Sequence, residues 1–495
     1  MPLDDTGRAD AESTPIVSGM SPDPSICRTD EGYFLAHSSF EYSPGVPVWH
    51  SPDLVSWRQV ANALTSDDQF PAGRSSASRG IWAPTLRHRD GTFWLITTNM
   101  DDPRGGHQVY RATDPAGPWS APVHLTELNG IDPDLAWDDE GVCLVSYCSW
   151  SHGAAGIRQV AVDLASGKLI EEPRWIWHGT GLSHPEGPHL YRRGSWWYLV
   201  IAEGGTERGH VVSVARSRGP RGPFESAPHN PVYTHRGIRH PVQSVGHADL
   251  VERPDGTWAA VHLGTRPRGG TPRFHVNGRE TFLADVSWAE DWPHFAPAKA
   301  RVPLGQRDFE DAFAAPALDL RWVSPGARPE RFARGVPEGV VVGHAPSGNG
   351  EPSGLFARVA GDHWEAEFVL TPGSADCTVA LRLDGRHWYG LRAAGGEVTA
   401  VARVGQLLTV LGTRPLPDSP VTLRVRSTEP TWNGPDDIEL GIGDGTGTGT
   451  DVLGRLDGRY LSTEVAGGFT GRLVGVWADS GEVLVHRARF TERRA

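Results

Sequence analysis

Three carboxylates stand at matching positions of an internal repeat, and this placement suggests acid–base chemistry. Each repeat reads as a polar residue, an apolar strand, an Asp/Gly turn and an aromatic strand, and the matching positions hold Asp23, Trp82, Asp132, Glu186 and His247. Successive positions are 59, 50, 54 and 61 residues apart. Clustered carboxylates repel one another and raise each other's pKa. One carboxyl group can then stay protonated while another stays ionised, as acid–base catalysis requires.

Each carboxylate also has an ordinary structural interpretation. Asp-Pro occurs outside the repeat position at Asp102 and Asp114, where it starts turns, so Asp23 or Asp132 alone would indicate a turn residue. Packing does not need three carboxylates on one axis, because apolar side chains would fill that space at a lower cost. Their coincidence at matched positions therefore favours a site for chemistry.

Trp82 and His247 hold the other two repeat positions. An exposed indole at the mouth of a channel suits the face of a sugar ring. A lone histidine such as His247 is commonly a hydrogen-bonded core residue, and the alternative is that it binds an ion or a water in the channel. The sequence requires no cofactor, and it leaves open a Ca²⁺ ion at His247.

The repeat also predicts the elements that position these residues. A period of roughly 50 to 60 residues, with short strands in each unit, is typical of a β-propeller, in which the innermost strands converge on one end of a central channel. We predict this domain over residues 16–303. Residues 304–319 lose the repeat and are predicted to be a linker. Residues 320–495 alternate apolar and polar positions between Gly turns, which indicates an antiparallel β-sandwich. The expected fold class is all-β.

The composition of the chain limits the kinds of partner and the cellular location that we expect. The chain has 495 residues and a formal net charge of −13, with no basic patch for nucleic acid. No apolar run approaches 18 residues, so we expect no membrane span. The first residues have neither the basic start nor the apolar core of a signal peptide, and the four cysteines lack metal-ligand spacing, so we expect a cytoplasmic protein. The sequence leaves open a homo-oligomer.

Several motifs distributed over the chain together resemble one enzyme family. They include Pro22-Asp-Pro-Ser-Ile26, Trp82-Ala-Pro84, Gly130-Ile-Asp-Pro133, Pro185-Glu-Gly-Pro-His189, Ala202-Glu-Gly-Gly-Thr206, Gly246-His-Ala-Asp249 and Gly278-Arg-Glu-Thr281. With them the chain resembles the family-43 glycoside hydrolases of the β-xylosidase type, which carry a C-terminal sandwich. The resemblance implies a five-bladed propeller and an inverting hydrolase of xylose- or arabinose-containing saccharides.

The resemblance also implies roles for individual residues. Asp23 would be the general base, Glu186 the general acid, and Asp132 the group that sets the pKa and orientation of the acid. His247 would be the channel histidine, which in some relatives contacts a calcium ion. The residues implied to bind the sugar are Phe40, Trp82, Thr206, Arg279 and Phe469, the last of which reaches the pocket from the sandwich.

The activity expected on this basis is release of xylose from the non-reducing end of short β-1,4-xylo-oligosaccharides. An α-L-arabinofuranosidase, or a bifunctional enzyme acting on arabinoxylan fragments, stays open because the two sugars present similar hydroxyl arrangements to such a pocket. A non-catalytic sugar-binding propeller is a more remote alternative, since it would not need three carboxylates.

Overall fold

The computed structural model describes residues 8–150, 154–303, 307–417, 420–443 and 449–493. In these ranges antiparallel β-strands make up nearly all of the regular structure, and the one α-helix, α1, is the single turn Thr463–Ala466. The 3-10 turns are Pro103–Gly105, Pro329–Arg331 and Gly458–Leu461. The predicted all-β class is confirmed. Across the same ranges, no helix has the length and apolar character needed to cross a bilayer.

Five antiparallel sheets follow one another along the first part of the chain. A short strand, β1 (Arg8–Asp10), precedes them. The sheets consist, in order, of β2 (Ser25–Thr29), β3 (Gly32–Ala36), β4 (Gly45–Ser51) and β5 (Arg58–Leu64); β6 (Ile81–Arg89), β7 (Thr92–Asn99), β8 (His107–Ala112) and β9 (Val123–Leu125); β10 (Ile131–Trp137), β11 (Cys143–Ser149), β12 (Gly156–Asp163), β13 (Lys168–Leu169) and β14 (Arg174–Trp177); β15 (Glu186–Arg193), β16 (Trp196–Glu203), β17 (Val211–Ser217) and β18 (Glu225–Ser226); and β19 (Gln243–Glu252), β20 (Trp258–Thr265), β21 (Glu280–Ala289) and β22 (Trp292–Pro297).

The first strands of these five sheets lie next to one another. β2 contacts β6, β6 contacts β10, β10 contacts β15, β15 contacts β19, and β19 contacts β2. Apolar side chains fill the space between successive sheets, as where Phe34 of β3 meets Leu95 of β7, and Leu144 of β11 meets Leu199 of β16. Because the five first strands are neighbours, residues at their beginnings come together at one place.

The C-terminal part consists of two antiparallel sheets packed face to face, which confirms the predicted sandwich. One sheet has eight strands: β24 (Phe309–Asp311), β25 (Ala333–Val336), β26 (Gly339–Gly343), β28 (Trp364–Thr371), β33 (Val421–Thr428), β34 (Asp437–Gly443), β35 (Thr450–Asp457) and β37 (Glu482–Glu492). The other has six: β27 (Gly354–Arg358), β29 (Asp376–Asp384), β30 (His387–Ala394), β31 (Glu397–Val404), β32 (Leu407–Pro415) and β36 (Leu473–Ser480). One core, with Phe368 and Val379 from opposite sheets, lies between them.

Two chain segments outside the predicted domains also form strands. β1 pairs with β23 (Arg301–Pro303), so residues before position 16 extend the structure of the first domain. Within the segment predicted as a linker, Phe309–Asp311 pairs with β37 of the sandwich, and residues 304–306 lie outside the described residues.

Candidate active site

The innermost strand of each of the five sheets has a residue with a left-handed backbone within its first five positions or just before its start, at a matching place in each sheet. These residues are Asp23, Ala83, Asp132, Gly187 and His247, with φ between 33° and 56°. In four of the sheets the strand register shifts at the same place. Residues other than glycine rarely adopt this conformation, and such strain clusters at functional sites.

The kinked residues recur once per sheet and so follow the sequence repeat. In two of the five units the kink lies one residue after the position that the repeat predicts. In the structure, Ala83 and Gly187 are the equivalents of Asp23 and Asp132. The internal repeat in the sequence had instead placed Trp82 and Glu186 at these two positions. The bulge in each of these two strands allows the residue before the kinked one to face the axis as well. Trp82 and Glu186 consequently reach the same cavity from one position earlier.

A cavity of about 420 Å³ lies at this end of the five strands. All nine residues singled out from the sequence line it: Asp23, Phe40, Trp82, Asp132, Glu186, Thr206, His247, Arg279 and Phe469. Residues as far apart in sequence as Asp23 and Phe469 thus meet in one place, and both domains contribute to the lining.

Asp23 is the most firmly held of the three carboxylates. One oxygen, Oδ2, accepts a 2.6 Å hydrogen bond from Ser38 Oγ, and Oδ1 accepts a 3.0 Å hydrogen bond from Arg279 Nη1. Burial by itself opposes ionisation, but the charge of Arg279, followed by His247 and the Ser38 hydrogen bond, brings the pKa of Asp23 below its ordinary value. At neutral pH Asp23 is therefore a carboxylate.

Asp132 and Glu186 have the opposite property. Burial and then the charge of Asp23 raise the pKa of Glu186 to about 7. Burial, followed by the charges of Glu186 and Asp23, raises the pKa of Asp132 well above its ordinary value, although its Oδ2 accepts a 3.0 Å hydrogen bond from Gly187 N–H. Two interacting carboxyl groups of this kind titrate as a pair and hold a proton near neutral pH. The cavity thus contains an ionised carboxylate together with a protonated carboxyl group.

Arg279 fixes the polar side of the cavity. Its Nη1 donates to Asp23 Oδ1 and to Thr206 Oγ1, each at 3.0 Å. Immediately before it, the chain passes so close to the sandwich that a Cβ on Gly278 would lie 3.0 Å from Gly471 Cα. A guanidinium held in this way offers its remaining N–H groups in a fixed fork, which suits vicinal hydroxyl groups.

Three aromatic rings form the apolar side. Phe40 and Phe469 stack with ring centroids 6.3 Å apart, and Trp82 meets Phe469 edge to face at 5.2 Å. Phe469 comes from the sandwich, and its N–H donates a 2.8 Å hydrogen bond to Ser78 Oγ of the first domain. The Ser78 N–H donates in turn to the buried Glu41 at 2.9 Å. The sandwich therefore closes one wall of the cavity.

The segment that precedes Glu186 is held by a buried carboxylate, Glu203. Its Oε1 accepts from Thr180 N–H at 2.8 Å, and its Oε2 accepts from Thr180 Oγ1 at 2.9 Å. The next residue, Gly204, donates its N–H to Ser183 O at 2.6 Å. These contacts tie the turn before Glu186 to the end of β16.

His210 also lines the cavity, and the sequence reasoning missed it. Nδ1 lies 3.0 Å from Ser244 O and therefore carries the proton, while the buried Nε2 has no hydrogen-bond partner among the described residues. Burial lowers the pKa of His210 to about 3, so the ring is neutral. Its free nitrogen is then an acceptor for a hydroxyl group. His210 follows a turn outside the repeat positions, so the repeat gave no signal for it.

Beneath the carboxylates, one arginine connects all five sheets. Arg87 of β6 donates to Asp249 and Asp134, each at 2.7 Å, and its Nη2 lies 3.0 Å from His189 Nδ1. It also donates to Ser25 Oγ at 3.2 Å. Ser25, Asp134, His189 and Asp249 each lie two residues after a kinked position, so they form a second layer on the same axis. The sequence reasoning did not identify this layer.

The described side chains around His247 supply few of the oxygen ligands that a calcium ion takes. Ca²⁺ takes six to eight oxygen ligands. His247 Nδ1 lies 3.7 Å from Asp23 Oδ1, but both oxygens of that carboxylate already accept hydrogen bonds. In the part of the chain that the structure describes, no group of three His, Cys, Asp or Glu side chains could hold a metal ion. On the axis below, the guanidinium of Arg87 already supplies a positive charge.

Comparison with known proteins agrees with both halves of the architecture. Residues 13–293 match the family model described as "Glycosyl hydrolases family 43", and residues 310–492 match the "Beta xylosidase C-terminal Concanavalin A-like domain".

Similar proteins include a curated "Non-reducing end alpha-L-arabinofuranosidase" of Bacteroides ovatus, 33% identical over 96% of this chain and 93% of the relative. A "Xylosidase/arabinosidase" of Butyrivibrio fibrisolvens is 43% identical over 59% of this chain and 57% of its own length. A solved structure of a xylan beta-1,4-xylosidase from Bacillus halodurans is 28% identical with a TM-score of 0.86, covering 97% of this chain and all of that one.

Proposed function

The chain belongs to glycosyl hydrolase family 43 and is a glycoside hydrolase, and from this premise we propose that it is an inverting exo-enzyme that releases xylose from the non-reducing end of short β-1,4-xylo-oligosaccharides. The observation that carries the proposal is the opposite shift of two pKa values in one cavity, below the ordinary range at Asp23 and up to about 7 at Glu186. A pair of carboxyl groups in these two states is what inverting hydrolysis needs.

In the proposed mechanism Asp23 is the general base. Its carboxylate takes a proton from a water molecule as that water attacks the anomeric carbon. The hydrogen bonds from Ser38 and Arg279 hold the carboxylate in place. The charge of Arg279 keeps it ionised while the substrate excludes water from the cavity.

Glu186 is the general acid in this mechanism. It gives its proton to the departing glycosidic oxygen, so that the leaving sugar does not have to depart as an alkoxide. Asp132 shares the proton-holding role through its coupling to Glu186, and its hydrogen bond to Gly187 N–H fixes the turn next to the acid. The function of Asp132 in this account is to hold the pKa and the orientation of Glu186.

The remaining lining residues bind the sugar. Arg279 donates to ring hydroxyls and the neutral His210 accepts from one. The rings of Phe40, Trp82 and Phe469 cover the apolar face of the pentose. We also propose that the five sheets form a closed five-bladed propeller, because their first strands contact one another in sequence and β19 contacts β2.

A second candidate activity is α-L-arabinofuranosidase, alone or together with β-xylosidase. It is favoured by the names of two relatives, one an arabinofuranosidase and the other a xylosidase/arabinosidase. Turnover of xylobiose should be compared with release of arabinose from an arabinoxylo-oligosaccharide. Faster xylose release supports the proposal as stated, faster arabinose release supports the second candidate, and no turnover of either substrate contradicts both.

A further inference from the structure

A second cavity, of about 300 Å³, lies where the two domains meet. Arg58 reaches it from the first domain, Arg307 from the predicted linker, Arg321 from the beginning of the sandwich domain, and Arg358 from β27 of the sandwich. Asp319 is the one acidic residue among the described residues that line it. Both oxygens of Asp319 accept from Arg321, at 2.8 and 2.9 Å, so this carboxylate is already used.

Arg358 is buried without a partner among the described residues. The residue is 3% exposed, and its guanidinium donates no hydrogen bond and forms no ion pair with any residue in the described ranges. Nε and Nη2 are both fully covered and unpaired. An arginine normally satisfies its five N–H donors when it leaves water. Arg358 therefore stands out from the other buried arginines, such as Arg472, which is paired with Asp436 at 2.7 Å.

Arg307 is only partly satisfied. Its Nε donates to Ser18 O at 2.8 Å, and its guanidinium lies 4.7 Å from the centre of the Trp49 ring. Its Nη2 is buried without a partner among the described residues. Two carboxylates, Glu492 and Glu280, attract its charge, and Glu280 is itself paired with Arg266 at 2.7 Å.

Two neighbouring buried guanidinium groups with unsatisfied N–H donors are costly. Burial and then the charge of Arg358 lower the pKa of Arg307 to about 9, and burial lowers the pKa of Arg358 to about 10. Removing a charge from water without pairing it costs several kcal/mol, on the order of the whole stability margin of a domain. An anion between the two groups would offset this cost.

We propose that this cavity binds a small oxyanion, a phosphate or a carboxylate group, held by Arg358 and Arg307. Charge-assisted N–H···O bonds from guanidinium groups to carboxylates and phosphates are stronger than those between neutral groups. The Trp49 and Trp57 side chains give the site an apolar wall, which suits a ligand with a carbon skeleton attached to the charged group. Because Arg358 belongs to the sandwich and Trp49 to the first domain, the bound anion would link the two domains.

Thermal unfolding of the full chain tests the proposal, with inorganic phosphate and D-glucuronate as probes at an ionic strength matched with chloride. We expect either probe, at a concentration roughly a hundredfold above its Kd, to raise the Tm by a few degrees, about 3 °C or more. In Arg358→Met the shift is lost, and in chloride buffer this variant is at least as stable as the wild type, because an unpaired charge has been removed. The control Arg334→Met removes an exposed sandwich arginine and should keep the full shift.

The two probes distinguish the source of the charged group. A shift with phosphate alone identifies a phosphate ester, one with glucuronate alone identifies an acidic sugar, and a shift with both supports a general oxyanion site. Isothermal titration of the wild type gives the same answer if Arg358→Met does not fold. The proposal is overturned if neither anion binds, or if Arg358→Met binds as tightly as Arg334→Met does.

Discussion

The axis of the first domain holds two layers of charged side chains that differ in how completely their carboxylates are paired with arginine. In the lower layer, Asp134 and Asp249 are both paired with Arg87 at 2.7 Å. In the upper layer, Asp23, Asp132 and Glu186 share Arg279, the one arginine among the described residues that line the cavity.

Both layers depend on the same kinks in the backbone, since a lower-layer residue lies two positions after four of the five kinks, and Arg87 lies four positions after the fifth, at Ala83. The paired layer stabilises the arrangement of the five sheets. The upper layer, in which Asp132 and Glu186 form no ion pair with a described residue, keeps a proton available at neutral pH. Direct pairing with an arginine, and not residue type, therefore separates the structural network from the site of chemistry.

The largest expected effect is on catalysis, from Glu186→Gln in the upper layer. The substitution keeps the shape but removes the transferable proton, so kcat on xylobiose should fall by about a thousandfold, ~4 kcal/mol in barrier. Nitrophenyl xyloside, whose leaving group needs little protonation, should lose much less. Thermal stability should be unchanged or higher, because a like-charge repulsion is removed. Equal losses on both substrates would contradict Glu186 as the proton donor.

Arg87→Met should break the lower layer. It leaves Asp134 and Asp249 buried without their cation, so the free energy of unfolding should fall by about 3–5 kcal/mol. The matched control is Arg192→Met, which removes an exposed ion pair with Asp139 and should cost at most about 1 kcal/mol. Denaturant titration measures both variants. Similar losses in the two would mean that the layer is not a stabilising network.

The pH dependence of kcat/KM should show the asymmetry of the upper layer directly. Activity requires Asp23 ionised and Glu186 protonated, so kcat/KM should decline as pH rises through about 7, the pKa of Glu186. On the acid side it should persist below the ordinary range of an aspartate, because the pKa of Asp23 is lowered. In Glu186→Gln, assayed on the aryl substrate, the alkaline decline should disappear. If it remains, another group titrates there.

The smallest effect concerns the wall that the sandwich supplies. Phe469→Ala removes the ring packed on Phe40 and Trp82, and kcat/KM should fall roughly tenfold, ~1.4 kcal/mol, with the fold intact. Trp432→Ala removes a sandwich aromatic that is 73% exposed and should leave kcat/KM unchanged. Steady-state kinetics on xylobiose compares the two. A Phe469→Ala variant with unaltered kcat/KM would show that the sandwich does not complete the sugar site.

The sequence predicted the upper layer because a repeat with carboxylates at matching positions is visible without coordinates. The repeat placed Trp82 and Glu186 at the position of Asp23, although the structural equivalents of Asp23 are the next residues, Ala83 and Gly187. A β-bulge shifts the strand register there, and the spacing of residues in the sequence does not show a bulge. The lower layer was missed for a related reason. Asp134 and Asp249 lie inside apolar strands, and the partner that neutralises them, Arg87, comes from another repeat.

The contribution of the sandwich depended on the family resemblance. Nothing in the local pattern around Phe469 indicates that it meets Phe40, more than 400 positions earlier in the chain. Contacts of this range follow from how the two domains dock, as in the close approach of Gly278 and Gly471. Arg358 escaped notice for the same reason, because an arginine in a strand gives no sign of being unpaired until its neighbours are known.

The most direct test of the central claim, that Asp23 and Glu186 act as base and acid on opposite sides of one sugar, is the anomeric form of the first product. Proton NMR during rapid hydrolysis of nitrophenyl β-D-xyloside, whose one sugar product is the newly cleaved xylose, should show α-xylose first, followed by slow mutarotation to the equilibrium mixture. Initial appearance of β-xylose would contradict the account, because it would require a covalent intermediate and a nucleophilic carboxylate in place of the base.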